Sequence, residues 1–370
     1  MNKKGIYVHI PFCIKKCAYC SFNSYSDLFH LADEYSDAVL REIKSADRCS
    51  VDTVYFGGGT PSAICEKYIL KILDAIYEKF DVSKDAEITI EVNPKTADEK
   101  KLSAYKNAGI NRLSIGAQDF SDENLKKLGR IHSVSDTFET VNEARKAGFD
   151  NISLDIMYGF ENQTIKDLEK TLETAMNLNP SHISVYALSV EEGTPVFERM
   201  KKGENVCVSD DVYANMYDDI CEKLSKHGYE KYELSNFAKD KKYSRHNMSY
   251  WECKEYYGFG AGASGYIKNT RYKNVCVISD YIKNPFEKCE EDILSKEDMM
   301  KEFVILGLRL TEGISKKKFF EKFGADIYDV FGKSFNKHIK NTKLLCENDD
   351  KIYLSKDASF VSNAVFVDFI

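Results

Sequence analysis

The chain has 370 residues, 52 Lys and Arg against 59 Asp and Glu, and a formal net charge of −7, enough length for more than one structural unit and for a core that needs no disulfide support. Acids and bases are interspersed, which excludes a general polyanion-binding surface. Its 11 cysteines are odd in number, no charged-then-apolar leader precedes Ile6, and no apolar run is long enough for a bilayer, so a reduced, cytoplasmic protein with no membrane span is expected.

The first predicted strand, Ile6–Ile10, runs into a segment carrying Cys13, Cys17 and Cys20. Three thiolates can hold three irons of a four-iron cube, and with no fourth cysteine nearby one iron stays open to a ligand. Zinc ligands normally come as two pairs spaced by two residues. Here the first gap is three and no second pair follows, so zinc ranks lower. Packing as ordinary buried thiols is the remaining alternative.

Further strands are predicted at Thr53–Phe56, Glu87–Val92, Arg112–Ile115, Asn151–Met157 and His182–Leu188, with helical periodicity between them, as in Tyr35, Val39 and Ile43 or Ile165, Leu168, Leu172 and Ala175. That alternation predicts an α/β fold with a parallel sheet. Six βα units are too few for a closed eight-stranded barrel, so a partial (βα)6 barrel is expected, with functional residues at the strand ends.

The candidates fall there. Gly57, Gly58 and Gly59, followed by Thr60 and Pro61, remove every Cβ from a loop that can approach a ligand closely. Glu91 and Asp155 interrupt apolar strands and need partners inside the barrel, since burying an unpaired carboxylate is costly. Ribose hydroxyls and an ammonium group would supply them. Gln118 and Arg130 follow the fourth strand, and Arg130 is suited to pairing a ligand carboxylate bidentately.

Residues 1–206 are thus read as the barrel. Residues 207–290 are an extension or lid: a helix with Tyr213, Tyr217, Ile220 and Leu224, then irregular, Tyr- and Gly-rich sequence through Tyr266. Residues 291–370 form a terminal unit with helices near Met299–Leu310, Ser315–Phe323 and Tyr328–Ile339 and a strand pair turning at Asn348–Lys351. Helices followed by a hairpin resemble a winged helix, but its lysines are read as a solvated face, and nucleic acid is not expected as a partner. His246, in His-Asn-Met-Ser-Tyr-Trp251, is either an axial haem ligand among aromatic side chains or a hydrogen-bonding tether for the extension.

Cys-x3-Cys-x2-Cys after a first strand, followed by Gly-Gly-Gly-Thr-Pro, resembles the radical S-adenosylmethionine superfamily. Tyr7-Val-His-Ile-Pro-Phe-Cys, Gly-Ala-Gln-Asp-Phe120 and Asp-Ile-Met-Tyr-Gly159 are similar to its oxygen-independent coproporphyrinogen III oxidase group. The resemblance implies a [4Fe–4S] cluster on Cys13, Cys17 and Cys20, whose open iron chelates S-adenosylmethionine. It implies a cofactor cradle of Tyr7, Tyr19, Gly58, Gly59, Thr60, Glu91, Gln118, Arg130 and Asp155. The oxidases carry a further cysteine where Phe22 stands here, and a longer N-terminal segment. These departures, with Ser235-Asn-Phe-Ala238 and the His246–Trp251 run, are similar to the HemW-type haem chaperone branch. That branch implies binding of haem and its transfer to a haem-accepting protein, with a reductant for the cluster as a further partner; a homodimer is left open. Coproporphyrinogen oxidation is not expected. A radical enzyme acting on a tetrapyrrole, an oxidase or a haem-modifying methyltransferase, is the alternative.

Overall fold

The β-branched runs become the centre of one sheet in a computed structural model, in which residues 3–370 are described. The strands are β1 (Lys4–Ile10), β2 (Ser50–Gly58), β3 (Asp81–Val92), β4 (Arg112–Gln118), β5 (Asn151–Tyr158) and β6 (His182–Ala187). Each pairs with the next in parallel. Helices spanning Ala32–Ser45, Glu66–Lys79, Glu99–Asn107, Val134–Lys146 and Ile165–Asn177 return the chain between them. Ser133 and Thr164 start the last two with reciprocal capping boxes to Asp136 and Asp167, which satisfy amides that a helix start leaves unpaired.

Register sorts the side chains into two faces. Laterally, Tyr7 lies beside Tyr55, Tyr55 beside Thr89 and Thr89 beside Arg112. One step along, Glu91, Ser114, Ser153 and His182 form a row, and Asp155 lies beside Ser184. Because side chains alternate along a strand, these polar residues share one face, the lumen. The intervening Val8, Phe56, Ile90, Leu113, Leu154 and Ile183 are wholly buried against the helices.

The sheet continues on both flanks. Beyond β6 lie β7 (Glu230–Lys231) and β8 (Asn236–Ala238), with β8 antiparallel to β6. Beyond β1 lie β9 (Tyr256–Phe259), β10 (Ser264–Ile267), β11 (Thr270–Asn274) and β12 (Lys288–Ile293), giving a twelve-stranded order of β12-β11-β10-β9-β1-β2-β3-β4-β5-β6-β8-β7. The expected helix, Asp210–Lys226, is present. The Tyr- and Gly-rich sequence after it differs from expectation: it is not an irregular cover but strand, and β9 pairs in parallel with β1.

The last segment has a separate apolar cluster centred on Val304, Phe319, Phe335, Ile352 and Val365. Its helices span Lys296–Gly307, Lys316–Phe323 and Ile327–Asn336. Strands β13 (Ile314–Ser315), β14 (Leu345–Glu347) and β15 (Lys351–Leu354) form a small sheet beside them. It meets the first unit through the Arg271–Glu302 ion pair, the Arg309 guanidinium 4.4 Å over the Trp251 ring and the Thr311 amide donating to the Tyr232 carbonyl at 3.0 Å. No helix among the described residues is long and apolar enough to cross a membrane.

Candidate functional site

The loop after β1 is closed at its base. The Cys13 amide donates to the Tyr25 carbonyl at 2.9 Å, and the Tyr25 amide donates to the Pro11 carbonyl at 2.8 Å. Phe12, wholly buried, anchors that base against Phe29 and edge-on to Tyr35. Cys13 is therefore held inside at 7% exposure, while Cys17 and Cys20 are half-buried on the outer arc. Burial pushes the Cys13 and Cys20 thiols up.

Beside this loop the glycines do steric work. The Gly59 amide donates to the Ile10 carbonyl at 2.9 Å and the Thr60 amide to the Phe12 carbonyl at 2.8 Å. A Cβ on Gly59 would lie 2.8 Å from the Phe12 carbonyl oxygen and 3.1 Å from Cys13 Sγ. Gly58 adopts φ +114°, and a Cβ there would meet the His9 ring at 2.6 Å. Only glycine gives these approaches without strain.

A polar chain links the first two cysteines. Cys13 Sγ lies 3.5 Å from Thr60 Oγ1, and Asn93 Nδ2 donates to Thr60 Oγ1 at 2.8 Å. Arg130 Nη2 donates to Asn93 Oδ1 at 2.6 Å and to the Gly116 carbonyl at 2.9 Å, and Nη1 donates to Cys17 Sγ at 3.4 Å. Gln118 joins them by ending β4 at φ +65°. A Cβ on Gly116 would fall within 3.1 Å of Asn93, Gln118 and Arg130 alike, so three polar ends converge where a side chain is missing. Tyr19 completes the wall against Leu128, Met157, Phe160 and Leu188, and burial raises its phenol.

Inside the lumen, Glu91 accepts from Tyr55 Oη at 3.0 Å and from the Gly58 amide at 3.2 Å. Solvent reaches it from the lumen, but protein surrounds it. Burial first, then the Asp155 charge, lift its carboxyl to about 7. Asp155 accepts from Ser114 Oγ at 3.0 Å and Ser153 Oγ at 3.4 Å, and burial raises it as well. Tyr7 Oη lies 3.0 Å from His9 Nδ1, whose other nitrogen meets the Asn23 carbonyl at 2.7 Å. His9 is thus the structural link under the loop.

The donor set fits an iron–sulfur cluster. Among the described residues no three His, Cys, Asp or Glu side chains converge on one ion-sized point, as a mononuclear metal would require. A cube instead takes each thiolate on a different iron. Glu91 and Asp155 add carboxylates on the lumen face of β3 and β5.

His246 lies below this cradle, its ring stacked 6.5 Å from Tyr7 between centroids. It is 1% exposed, with Nδ1 at 2.9 Å from Thr53 Oγ1 and Nε2 at 2.8 Å from Tyr250 Oη. Its ring stacks on Tyr55, 5.3 Å between centroids. Burial, then the Arg112 charge, depress its pKa to about 3. Each ring nitrogen thus lies within hydrogen-bonding distance of a hydroxyl, the arrangement expected of a tether between helix Arg245–Trp251 and β2.

Sequence reasoning passed over Asn93 and Arg112. Asn93 stands directly before Pro94 at the end of β3, a polar residue at a strand terminus and so a readable signal. Arg112, 2% exposed and set among Glu87, Tyr55, Tyr232 and Asp155, looks in sequence like an ordinary strand start.

Residues 7–175 match the Radical SAM superfamily, and residues 294–361 match the HemN C-terminal domain. The chain is 39% identical over 376 residues to the heme chaperone HemW of Bacillus subtilis (strain 168), covering 99% of each. It is 35% identical over 366 residues to the heme chaperone HemW of Lactococcus lactis subsp. lactis (strain IL1403), covering 98% of this chain and 96% of that one. Among solved structures, coproporphyrinogen III oxidase (HemN) from Escherichia coli shares the fold with a TM-score of 0.85 and 23% identity, over 99% of this chain and 90% of that one.

Proposed function

The chain belongs to the HemW branch of the radical S-adenosylmethionine superfamily, and from that premise we propose that it is a haem chaperone. In this reading it binds a [4Fe–4S] cluster, S-adenosylmethionine and haem, and passes haem to an acceptor protein. The observation that carries it is full-length similarity to proteins of that name. Phe22, 66% exposed, at the position where the related oxidases carry cysteine, supports it.

Cys13, Cys17 and Cys20 would hold the cluster. Tyr7, Tyr19, Gly58, Gly59, Thr60, Glu91, Gln118, Arg130 and Asp155 would line the cofactor. When bound, the cluster supplies one-electron reduction of the cofactor's sulfonium. The chain's own part is positional. Arg130 turns its guanidinium toward Cys17, where a cation stabilises thiolate charge. The closed loop base keeps Cys13 away from water, and the Glu91 and Asp155 carboxylates face ribose hydroxyls and ammonium. His246 is not the haem ligand in this reading.

The test is anaerobic reconstitution of the intact chain, then absorbance titration with haem and product analysis with S-adenosylmethionine and coproporphyrinogen. Cluster absorbance that disappears in Cys17→Ala, haem binding, and no consumption of coproporphyrinogen are expected. Failure to bind haem with or without the cluster would sink the chaperone reading. The complete cradle favours one second reading, a radical enzyme acting on a tetrapyrrole. Tetrapyrrole-dependent formation of 5′-deoxyadenosine would establish it instead.

A further inference from the structure

The side-chain amide of Asn93 touches the groups that contact Cys13 and Cys17, yet the strand end it sits on does not need it. The Asn93 backbone is fixed separately. Its amide donates to Ser62 Oγ at 3.2 Å, and its carbonyl accepts from the Thr96 amide at 3.1 Å and from Thr96 Oγ1 at 2.6 Å. The side chain reaches instead toward the place a Gly116 side chain would take, where a Cβ would lie 2.8 Å from Asn93 Oδ1.

Donor chemistry fixes which way the amide faces. Arg130 has no acceptor, so the atom 2.6 Å from its Nη2 is the Asn93 oxygen, and Nδ2 is left for Thr60 Oγ1 at 2.8 Å. Thr60 thus accepts from Asn93, which leaves its single hydroxyl hydrogen for Cys13 Sγ at 3.5 Å. An iron-bound thiolate has no hydrogen of its own and can only accept it. Thr60 and Cys13 are both buried, which shields this branch from competing water. On the other branch the two Nη2 hydrogens of Arg130 go to Asn93 and to the Gly116 carbonyl at 2.9 Å. Nη1 is thereby aimed at Cys17 Sγ, 3.4 Å away.

We propose that Asn93 is the positioning residue that sets the reduction potential of the cluster, by aiming the Thr60 hydroxyl at Cys13 and the Arg130 guanidinium at Cys17. The proposal rests on the cluster assignment above and is independent of haem. Hydrogen bonds to the cluster sulfurs help to set the potential. Both of these favour the reduced cluster, whose sulfurs carry more negative charge. Asn93→Asp keeps the size and reverses one end of the amide. With two acceptor oxygens, the aspartate takes the Thr60 hydrogen from Cys13 and draws Arg130 away from Cys17.

The full chain is reconstituted anaerobically with iron and sulfide, without S-adenosylmethionine, and reduction of the cluster by dithionite is titrated by electron paramagnetic resonance. Asn93→Asp should shift the equilibrium toward the oxidised cluster at least tenfold, about 59 mV, and Thr60→Val about threefold in the same direction. Thr60→Ser keeps the hydroxyl and should stay within a factor of about two of wild type. The double variant should match Asn93→Asp within a factor of about two, because the aspartate has already taken the Thr60 hydrogen. A wild type that holds no cluster overturns the assignment on which the proposal rests. A loaded wild type with an unshifted Asn93→Asp, or with Asn93→Asp and Thr60→Val shifts that simply add, refutes the role of Asn93 alone. So does loss of the cluster from both single variants, which would make the polar chain a clamp on the loop.

Discussion

Replacing His246 separates a haem ligand from a structural tether. The imidazole fills a wholly buried position between Thr53 Oγ1 and Tyr250 Oη, stacked on Tyr55 and edge-on to Tyr250 at 4.9 Å. In His246→Ala both hydroxyls lose their partner, at about 1 kcal/mol each. The space left by the ring costs about 2 kcal/mol more by analogy with large-to-small core changes. The expected loss is thus about 4 kcal/mol, set against a total stability of roughly 5–15 kcal/mol. His246→Gln keeps an amide donor and acceptor in the gap and should lose roughly half as much.

Urea unfolding supplies the stability change, and absorbance titration at low temperature, where each variant is folded, supplies the haem affinity. Neutral imidazole is the form that binds iron, and His246 is neutral down to about pH 3, so pH alone does not separate the roles. The variants do. The tether requires that His246→Gln be destabilised with haem affinity within a factor of about two of wild type. It requires the same of Thr53→Val, which removes one bond from the other side. The reasoning fails if His246→Gln loses about tenfold or more in haem affinity, about 1.4 kcal/mol, while Thr53→Val binds haem normally.

Glu91, lifted to about 7, is protonated in the free protein below that pH, and a cationic ligand must displace the proton. S-adenosylmethionine should therefore bind more tightly as pH rises through about 7 with up to one proton released, read by calorimetry in two buffers, and Glu91→Gln should bind weakly with a flat profile; a flat wild-type profile contradicts this. Asp119 has no solvent exposure, an unpaired Oδ2 and a carboxyl raised by burial to about 6. Its contribution is full below the usual carboxylate range and is lost as pH rises through about 6. Asp119→Asn should thus gain about 1–2 kcal/mol at about pH 8 and little at about pH 4 in denaturant titrations; equal effects at both ends would refute it. Gly59→Ala puts a Cβ 2.8 Å from the Phe12 carbonyl oxygen and should lower reconstituted iron and sulfide at least severalfold with far-ultraviolet dichroism unchanged. Full cluster content in that variant would show that the loop yields.

Strand type and parallel order were readable because β-branched runs and helical periodicity agree along β1 to β6. Glu91 and Asp155 were legible as lumen residues because each breaks its own strand's apolar pattern. β9 to β11 were not, because their glycines look like loop punctuation. Gly258 is required by the approach of the Ser264 carbonyl, only 2.0 Å from where a Cβ would sit, and Gly265 by the Tyr272 ring at 2.2 Å. Glycine marks close backbone approach within a sheet as well as turns, and one sequence does not say which. The choice between the two roles open to His246 was not readable for a related reason. Tyr250 is a neighbour one turn along the same helix, but Thr53 becomes a partner only when helix Arg245–Trp251 packs under β2, a contact between residues nearly two hundred positions apart.

The lumen's charges bear on what it can accept. On the lumen face of β3, β4 and β5 stand Glu87, Glu91 and Asp155 with Arg112 as their buried cation. Glu87 already accepts the His246 amide at 3.2 Å, and Arg112 has Glu87 as its leading acidic neighbour, ahead of Asp155. The floor is closed by neutral groups: His246 between Thr53 and Tyr250, and His182, depressed by burial and then by Arg112, between Ser153 and Tyr232. Arg112 also acts on Glu91, but burial and the Asp155 charge outweigh it and push the carboxyl toward protonation. Arg130 at the mouth is occupied by Asn93, Gly116 and Cys17. An anion entering this space would raise the carboxyls further, whereas an ammonium or sulfonium would let Glu91 ionise and pair. The polar row laid down by strand register thus selects for a cation beside the cysteine loop, a preference set by the sheet before any ligand arrives.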